Sequence, residues 1–177
     1  MIALRPLRWP DDRASLMGLD TSFTTDRVFH LERMGDGFKL DEVAAEPPIH
    51  KSYSLAVDID AIPSYDWAEI CEHDHEIAGV ATLTIEAWNR RAVLHHLYVT
   101  PEARRVGVGH ALVTAAIGVA RDRNARCVWV ETQIVNYGAV RFYRSVGFAW
   151  CGFDTSLYDP SDAGVDEVAL FFSRDVR

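Results

Sequence analysis

The chain has 177 residues, of which 49% are hydrophobic and 25% charged, with a formal net charge of −8. This length fits one domain with a respectable core, and the composition is ordinary for a soluble globule. The negative charge argues against nucleic acid as a partner, because phosphate binding wants a basic face. It permits a cationic small molecule drawn in by an acidic cleft, although a solvated acidic surface explains the charge equally well. Cys71, Cys127 and Cys151 are odd in number, widely spaced and without a Cys-x-x-Cys pair, which suggests buried thiols in a reducing compartment. The N-terminal residues lack a signal-peptide core and no apolar run approaches membrane-spanning length, so a cytoplasmic protein without a membrane partner is expected.

Taken in chain order, residues 1–8 read as an edge strand. Residues 11–18 form a short helix capped by Asp11 or Asp12. Residues 20–48 are mixed and turn-rich without a long period, and 51–64 carry no clear pattern. Residues 67–72 and 77–88 read as a hairpin joined at His73-Asp74-His75-Glu76, and residues 92–99 as the next strand. A helix follows over 108–123, with Val108, Ala111, Leu112, Ala115, Ala116 and Val119 on one face. Residues 127–132 are apolar and β-branched, as in a buried strand. Asn136 is a natural N-cap for a helix carrying Ala139, Phe142, Tyr143 and Val146 at helical spacing, and Gly147 is a natural stop. Strands over 148–157 and 165–173 close the chain, which shows no repeat, linker or boundary and reads as a single domain over 1–177.

The most informative stretch is Arg104-Arg105-Val106-Gly107-Val108-Gly109, with His110 next, between a strand and a helix. Such a loop offers unpaired N–H groups and the positive end of the helix dipole to an anion. Gly107 and Gly109 allow close backbone approach, and Arg104 and Arg105 add charge. A P-loop needs Gly-x-x-x-x-Gly-Lys-Ser/Thr, which is absent. A dinucleotide fingerprint has Leu112 in place of its third glycine, although Glu131 lies at about the right distance for its ribose acid. Residues 100–106 also separate the strand from the glycines, where that fingerprint has a tight turn.

The pattern Arg104-x-x-Gly107-x-Gly109 resembles the pyrophosphate loop of the GNAT acetyltransferases, and the run from Glu131 through Asn136 and Phe142-Tyr143 to Gly147-Phe148 resembles their second cofactor motif. The segments at 20–26, 35–38, 47–48, 88–91, 131–133 and 151–158 are similar to the streptothricin (nourseothricin) acetyltransferase branch. The resemblance covers nearly the whole chain. It implies an α/β (α+β) GNAT fold: a mixed, mostly antiparallel sheet with helices on both faces and a splayed V between two central strands. It also implies acetyl-CoA as cofactor and a small cationic amine as acceptor, streptothricin first. Rivals are another amine (an amino sugar, a polyamine or a peptide N-terminus), a non-catalytic acyl-CoA-binding module and, remotely, a nucleotide-binding oxidoreductase. Exposed sheet edges in this fold often pair, which allows a homodimer.

Acetyl transfer to an amine needs a deprotonated amine, a donor for the oxyanion and a proton for the leaving thiolate. The resemblance places Leu97, Tyr98 and Val99 along the pantetheine arm and residues 104–110 at the phosphates, with Asn136 on the arm. It puts Tyr143 near the thiol as proton donor, a role to weigh against that of a core aromatic on an amphipathic helix. His95 and His96 are neighbours on a strand, so they are expected on opposite faces. His95 stands where the family usually has an acid, and it is preferred as base on that ground alone. Glu131 is read as holding the substrate ammonium or acting through water, or as a salt-bridged strand-end carboxylate. Asp20, Phe23, Asp26, Trp88, Asp154 and Tyr158 are candidate substrate contacts by resemblance, and turn or cap roles are the simpler account of the aspartates. His73-Asp74-His75 is read as a polar turn rather than a metal site, and Cys151 as a buried strand residue without a partner that would activate it.

Overall fold

The computed structural model describes residues 1–159 and 167–177. The chain forms two compact units. The first comprises 1–23, 52–129 and 175–177, and the second 24–51 and 130–174.

The first unit is built on antiparallel strands in the order β1 (Ile2–Pro6), β4 (Trp67–His73), β5 (Glu76–Glu86) and β6 (Arg91–Val99). The expected edge strand and hairpin are present, the latter turning through Asp74 and His75 at positive φ. Residues 78–83 of β5 are buried without interruption, as suits a strand covered on both faces. Helix α2 (Val108–Asp122) packs on β1, β4, β5 and β6. A Cβ at Gly79 would sit 2.7 Å from the Tyr98 carbonyl oxygen and 3.1 Å from Val108 and Leu112 side chains, so only glycine lets α2 seat this close to the strand. The buried stripe of α2 is Val108, Leu112, Val113, Ala116, Ile117 and Ala120, rotated from the expected stripe that included Ala111, Ala115 and Val119. Apolar residues lie on both candidate stripes, and packing selects the one with the larger side chains.

A second layer is made by α1 (Arg13–Met17) and two 3₁₀ turns, Leu55–Val57 and Ile59–Ser64. Leu16, Leu55, Ile59 and Ile62 form a buried cluster with Ile70 and Val80, with Tyr65 and Tyr98 packed against it. Arg5 ties this layer together. It donates to both Asp12 carboxylate oxygens, at 2.7 and 2.8 Å, and to Glu72 at 2.6 Å. The Arg5 guanidinium holds the Asp12 carboxyl below its ordinary pKa.

Strand β7 (Cys127–Gln133) starts in the first unit and continues into the second, which adds α3 (Tyr137–Ser145), β8 (Ala149–Asp154) and β9 (Ala169–Asp175) in the strand order β7-β9-β8. The expected start of the last strand at Val165 lies outside the described residues. The second unit also contains a finding the sequence did not suggest. Residues 20–48 are not a turn-rich stretch: β2 (Phe23–Met34) and β3 (Gly37–Lys51) form a long two-stranded ribbon. Gly35, at φ +61°, makes its turn. Phe29 is 1% exposed, stacks on Tyr137 at 5.4 Å and takes a backbone bond from its N–H to the Ile134 carbonyl. Glu42 accepts from the Tyr137 hydroxyl at 3.0 Å, so the ribbon is fixed along α3.

Candidate active site

The glycine-bearing loop begins where β6 ends. Pro101–Ala103 make a 3₁₀ turn, Arg105 takes φ +64° and Gly107 takes φ +107° as N-cap of α2. No side chain caps α2, which leaves the amides of its first turn, Val108, Gly109 and His110, directed at the loop. The Val108 side chain is fully buried, so only its backbone is available there; Val106, by contrast, is 48% exposed. Arg104 is held by main-chain carbonyls. Its Nε donates to the Val99 carbonyl at 3.1 Å and its Nη2 to the Ser22 carbonyl at 2.6 Å. It braces the loop, and burial lowers its pKa. Arg105 is the exposed arginine of the pair. Uncapped amides around a left-handed glycine, with a cation beside them, fit the phosphates of acetyl-CoA.

Leu97, Tyr98 and Val99 pair with Ala81, Val80 and Gly79. One step earlier the ladder is interrupted. Thr82 pairs with His96 but Leu83 pairs with Leu94, so His95 is the extra residue of a β-bulge. The bulge overturns the expectation that neighbouring histidines point to opposite faces. Both rings contact Tyr65: His95 lies flat on it at 4.7 Å and 9°, and His96 meets it edge-on at 5.6 Å and 61°. His95 Nε2 is 2.8 Å from Thr84 Oγ1. Desolvation lowers the His95 pKa, opposed by the charges of Glu86 and Asp58. His96 is buried and also lowered by desolvation, and its Nδ1 has no partner among the described residues. His95 is therefore an exposed imidazole at the bulge, whereas His96 belongs to the interior.

In the second unit, Asn136 accepts from the Ala139 N–H at 3.1 Å, the expected helix cap. Tyr143 is 5% exposed, with ring centroids 5.6 Å from Phe148 and 6.3 Å from Phe172. It is thus a packed aromatic whose ring is held from several sides. Glu131 receives a hydrogen bond from the Tyr158 hydroxyl. Burial raises the Glu131 pKa more than this bond lowers it. The structure thus brings together Glu131 and Tyr158, two residues the sequence offered separately.

The remaining candidates fall mostly into local roles. Asp20 accepts from the Ser22 N–H at 2.8 Å, and Asp154 accepts from the Ser156 N–H at 2.7 Å, both as turn-makers. Phe23 stacks on Tyr53 at 6.1 Å, Asp26 is exposed on β2, and Trp88 is 85% exposed beside the β5–β6 turn. Among the described residues no cluster of three or more His, Cys, Asp or Glu could hold a metal. No helix of the described chain is long and apolar enough to cross a membrane. Cys71 and Cys127 are buried, but Cys151 is exposed, contrary to expectation, because it is the extra residue of a bulge in β8. Sequence reasoning missed Tyr65 and Thr84, and neither sits in a motif that could have marked it.

The acetyltransferase (GNAT) family matches residues 36–148. A streptothricin acetyltransferase of Streptomyces lavendulae is 37% identical over 174 residues, covering 93% of this chain and 90% of that protein. The crystal structure of a nourseothricin acetyltransferase superposes with a TM-score of 0.87 at 36% identity, over 99% of both chains. A Bacillus anthracis protein solved in complex with acetyl coenzyme A superposes with a TM-score of 0.82 at 25% identity, over 99% of this chain and 98% of that one. The expected mixed, mostly antiparallel GNAT fold is therefore the fold of this chain. The chain belongs to the acetyltransferase (GNAT) family and is an acetyl-CoA-dependent N-acetyltransferase.

Proposed function

We propose that this enzyme acetylates a primary amine of streptothricin. The observation that carries the reading is the whole-length likeness to streptothricin acetyltransferases, at 37% identity over 93% of the chain. The acidic net charge of −8 suits a cationic acceptor. Bound acetyl-CoA supplies the acetyl thioester; the rest is done by this chain. The loop amides from Gly107 to His110, with Arg105, receive the phosphates; the backbone of residues 97–99 lines the pantetheine arm, and Asn136 is a further contact for that arm. Glu131, kept half-buried under Tyr158, holds the substrate ammonium. His95 takes a proton from it, directly or through water. In the tautomer whose Nε2–H donates to Thr84, Nδ1 carries the accepting lone pair. The freed amine attacks the thioester carbonyl; as the carbon–sulfur bond breaks, Tyr143 gives its proton to the leaving thiolate and regains one from the nitrogen, which sheds its second proton as the amide forms. Transfer is direct, in a ternary complex, and no acyl-enzyme is formed.

The two units work as one acetyltransferase domain over 1–177, in the cytoplasm, and a homodimer fits the same reading. The test is purified protein with acetyl-CoA and streptothricin, following thiol release and product mass. A single acetyl gain, abolished in Tyr143→Phe, is expected. Thiol release with other amines only would discard the substrate, and coenzyme A binding without release to any amine would leave a binding module.

A further inference from the structure

We propose that Tyr65 is a positioning residue for acetyl transfer, its ring fixing the plane of His95 against Thr84. The proposal rests on the reading of His95 as base. Three observations carry it. First, His95 is the extra residue of the bulge, so no β5 residue is paired directly opposite it to orient its side chain as in a regular ladder. Its orientation has to come from elsewhere. Second, the Tyr65 ring lies parallel to the imidazole, 9° off plane with centroids 4.7 Å apart, while Thr84 Oγ1 holds Nε2 at 2.8 Å. One contact sets the plane and the other the rotation within it. Third, Tyr65 is itself anchored on both sides. Its N–H donates to the Ile62 carbonyl at 3.2 Å, and its ring packs against the buried cluster of Leu16, Ile59 and Ile62. The next residue, Asp66, accepts from the Ile85 N–H at 2.6 Å and pairs with Arg123 at 3.5 Å.

The charged and titratable groups facing His95 are Glu86 of β5, Asp58 from the corner between the 3₁₀ turns, and His96 of β6. The carboxylates favour the imidazolium; the Tyr65 face removes water from one side of the ring and favours the neutral base. Removing the aromatic face therefore loosens the ring and rehydrates it together.

The experiment compares Tyr65→Leu and Tyr65→Phe by pH–rate profile and by NMR titration of the His95 ring. Tyr65→Leu is expected to lower kcat at least tenfold at unchanged KM for acetyl-CoA, and to move the acid limb up toward the ordinary histidine value of about 6.5. Tyr65→Phe, which keeps the stack, retains the rate and the limb. In the unmodified enzyme the His95 ring protons are expected upfield, within the ring current of Tyr65. An unshifted resonance overturns the proposal even if Tyr65→Leu does not fold, as does a Tyr65→Leu enzyme with an unchanged His95 titration. A His95 titration that moves while the rate limb stays would overturn the proposed role through the loss of His95 as base, with the stacking contact left standing.

Discussion

The two side chains proposed as acid and base are held in different ways. Tyr143 is held by Phe148 and Phe172 and has little freedom, whereas His95 is exposed on a bulge. Tyr143→Phe keeps the packing and removes the proton. It is expected to lower kcat about 100-fold or more without a change in melting temperature, and a parallel fall in stability would instead mark a packing role. His95→Gln is expected to lower kcat/KM at neutral pH by a similar factor, with the loss shrinking at alkaline pH as the acceptor amine deprotonates by itself. The place of Tyr143 on α3 was legible because its helix spacing and the Gly147-Phe148 stop form a recognisable run. The histidine pair was misread because alternation along a strand assumes a regular ladder, and a bulge leaves no mark in one sequence.

Elements set how the phosphate loop is presented. Gly107 adopts φ +107°, and a Cβ there would meet Ile2 Cδ1 at 3.3 Å. Gly107→Val is expected to cost about 1–3 kcal/mol and to raise KM for acetyl-CoA more than it lowers kcat, measured by thermal melts and initial rates. The N-cap of α3 is more tolerant. Asn136→Ala loses one cap bond and is expected to cost about 1 kcal/mol. The strands and helices between residues 67 and 154 were readable because they are apolar runs or helical-period stretches bounded by turn and cap residues. The β2–β3 ribbon was not, because most of its residues are exposed and no period-2 apolar pattern develops. Pro47 and Pro48 within β3 further disguise it, since prolines are tolerated where the ladder has a free edge.

For the whole molecule, protonation couples to folding through the buried imidazole. His96 has a folded pKa below its ordinary value, so the unfolded chain takes up the proton first. Its contribution to stability is complete above about pH 6.5 and is lost as pH falls through the folded value. His95 acts in the same direction, Asp12 does so in a lower window, and Glu131, whose pKa is raised, acts oppositely. The urea midpoint is therefore expected to drop between pH 7.5 and 5.5, and His96→Gln is expected to flatten that drop; an equally steep drop in the variant would assign it elsewhere. The net charge of −8 predicts that added salt lowers kcat/KM for a cationic acceptor more than for a neutral amine. The composition alone announced this last property. The division into two compact units did not show in it, since no linker marks a boundary.

The ladder around the bulge has an arithmetic of its own. On one side of His95 each paired β5 and β6 residue sums to 178, as Thr82 with His96 does, and on the other to 177, as Leu83 with Leu94 does. Excising His95 closes that gap and leaves a continuous ladder in which no core residue changes face. The molecule thus contains a removable position, a single codon whose deletion would regularise the sheet while taking the proposed proton acceptor away. A chain lacking residue 95 is expected to melt within a few degrees of the parent and to bind acetyl-CoA without turning it over.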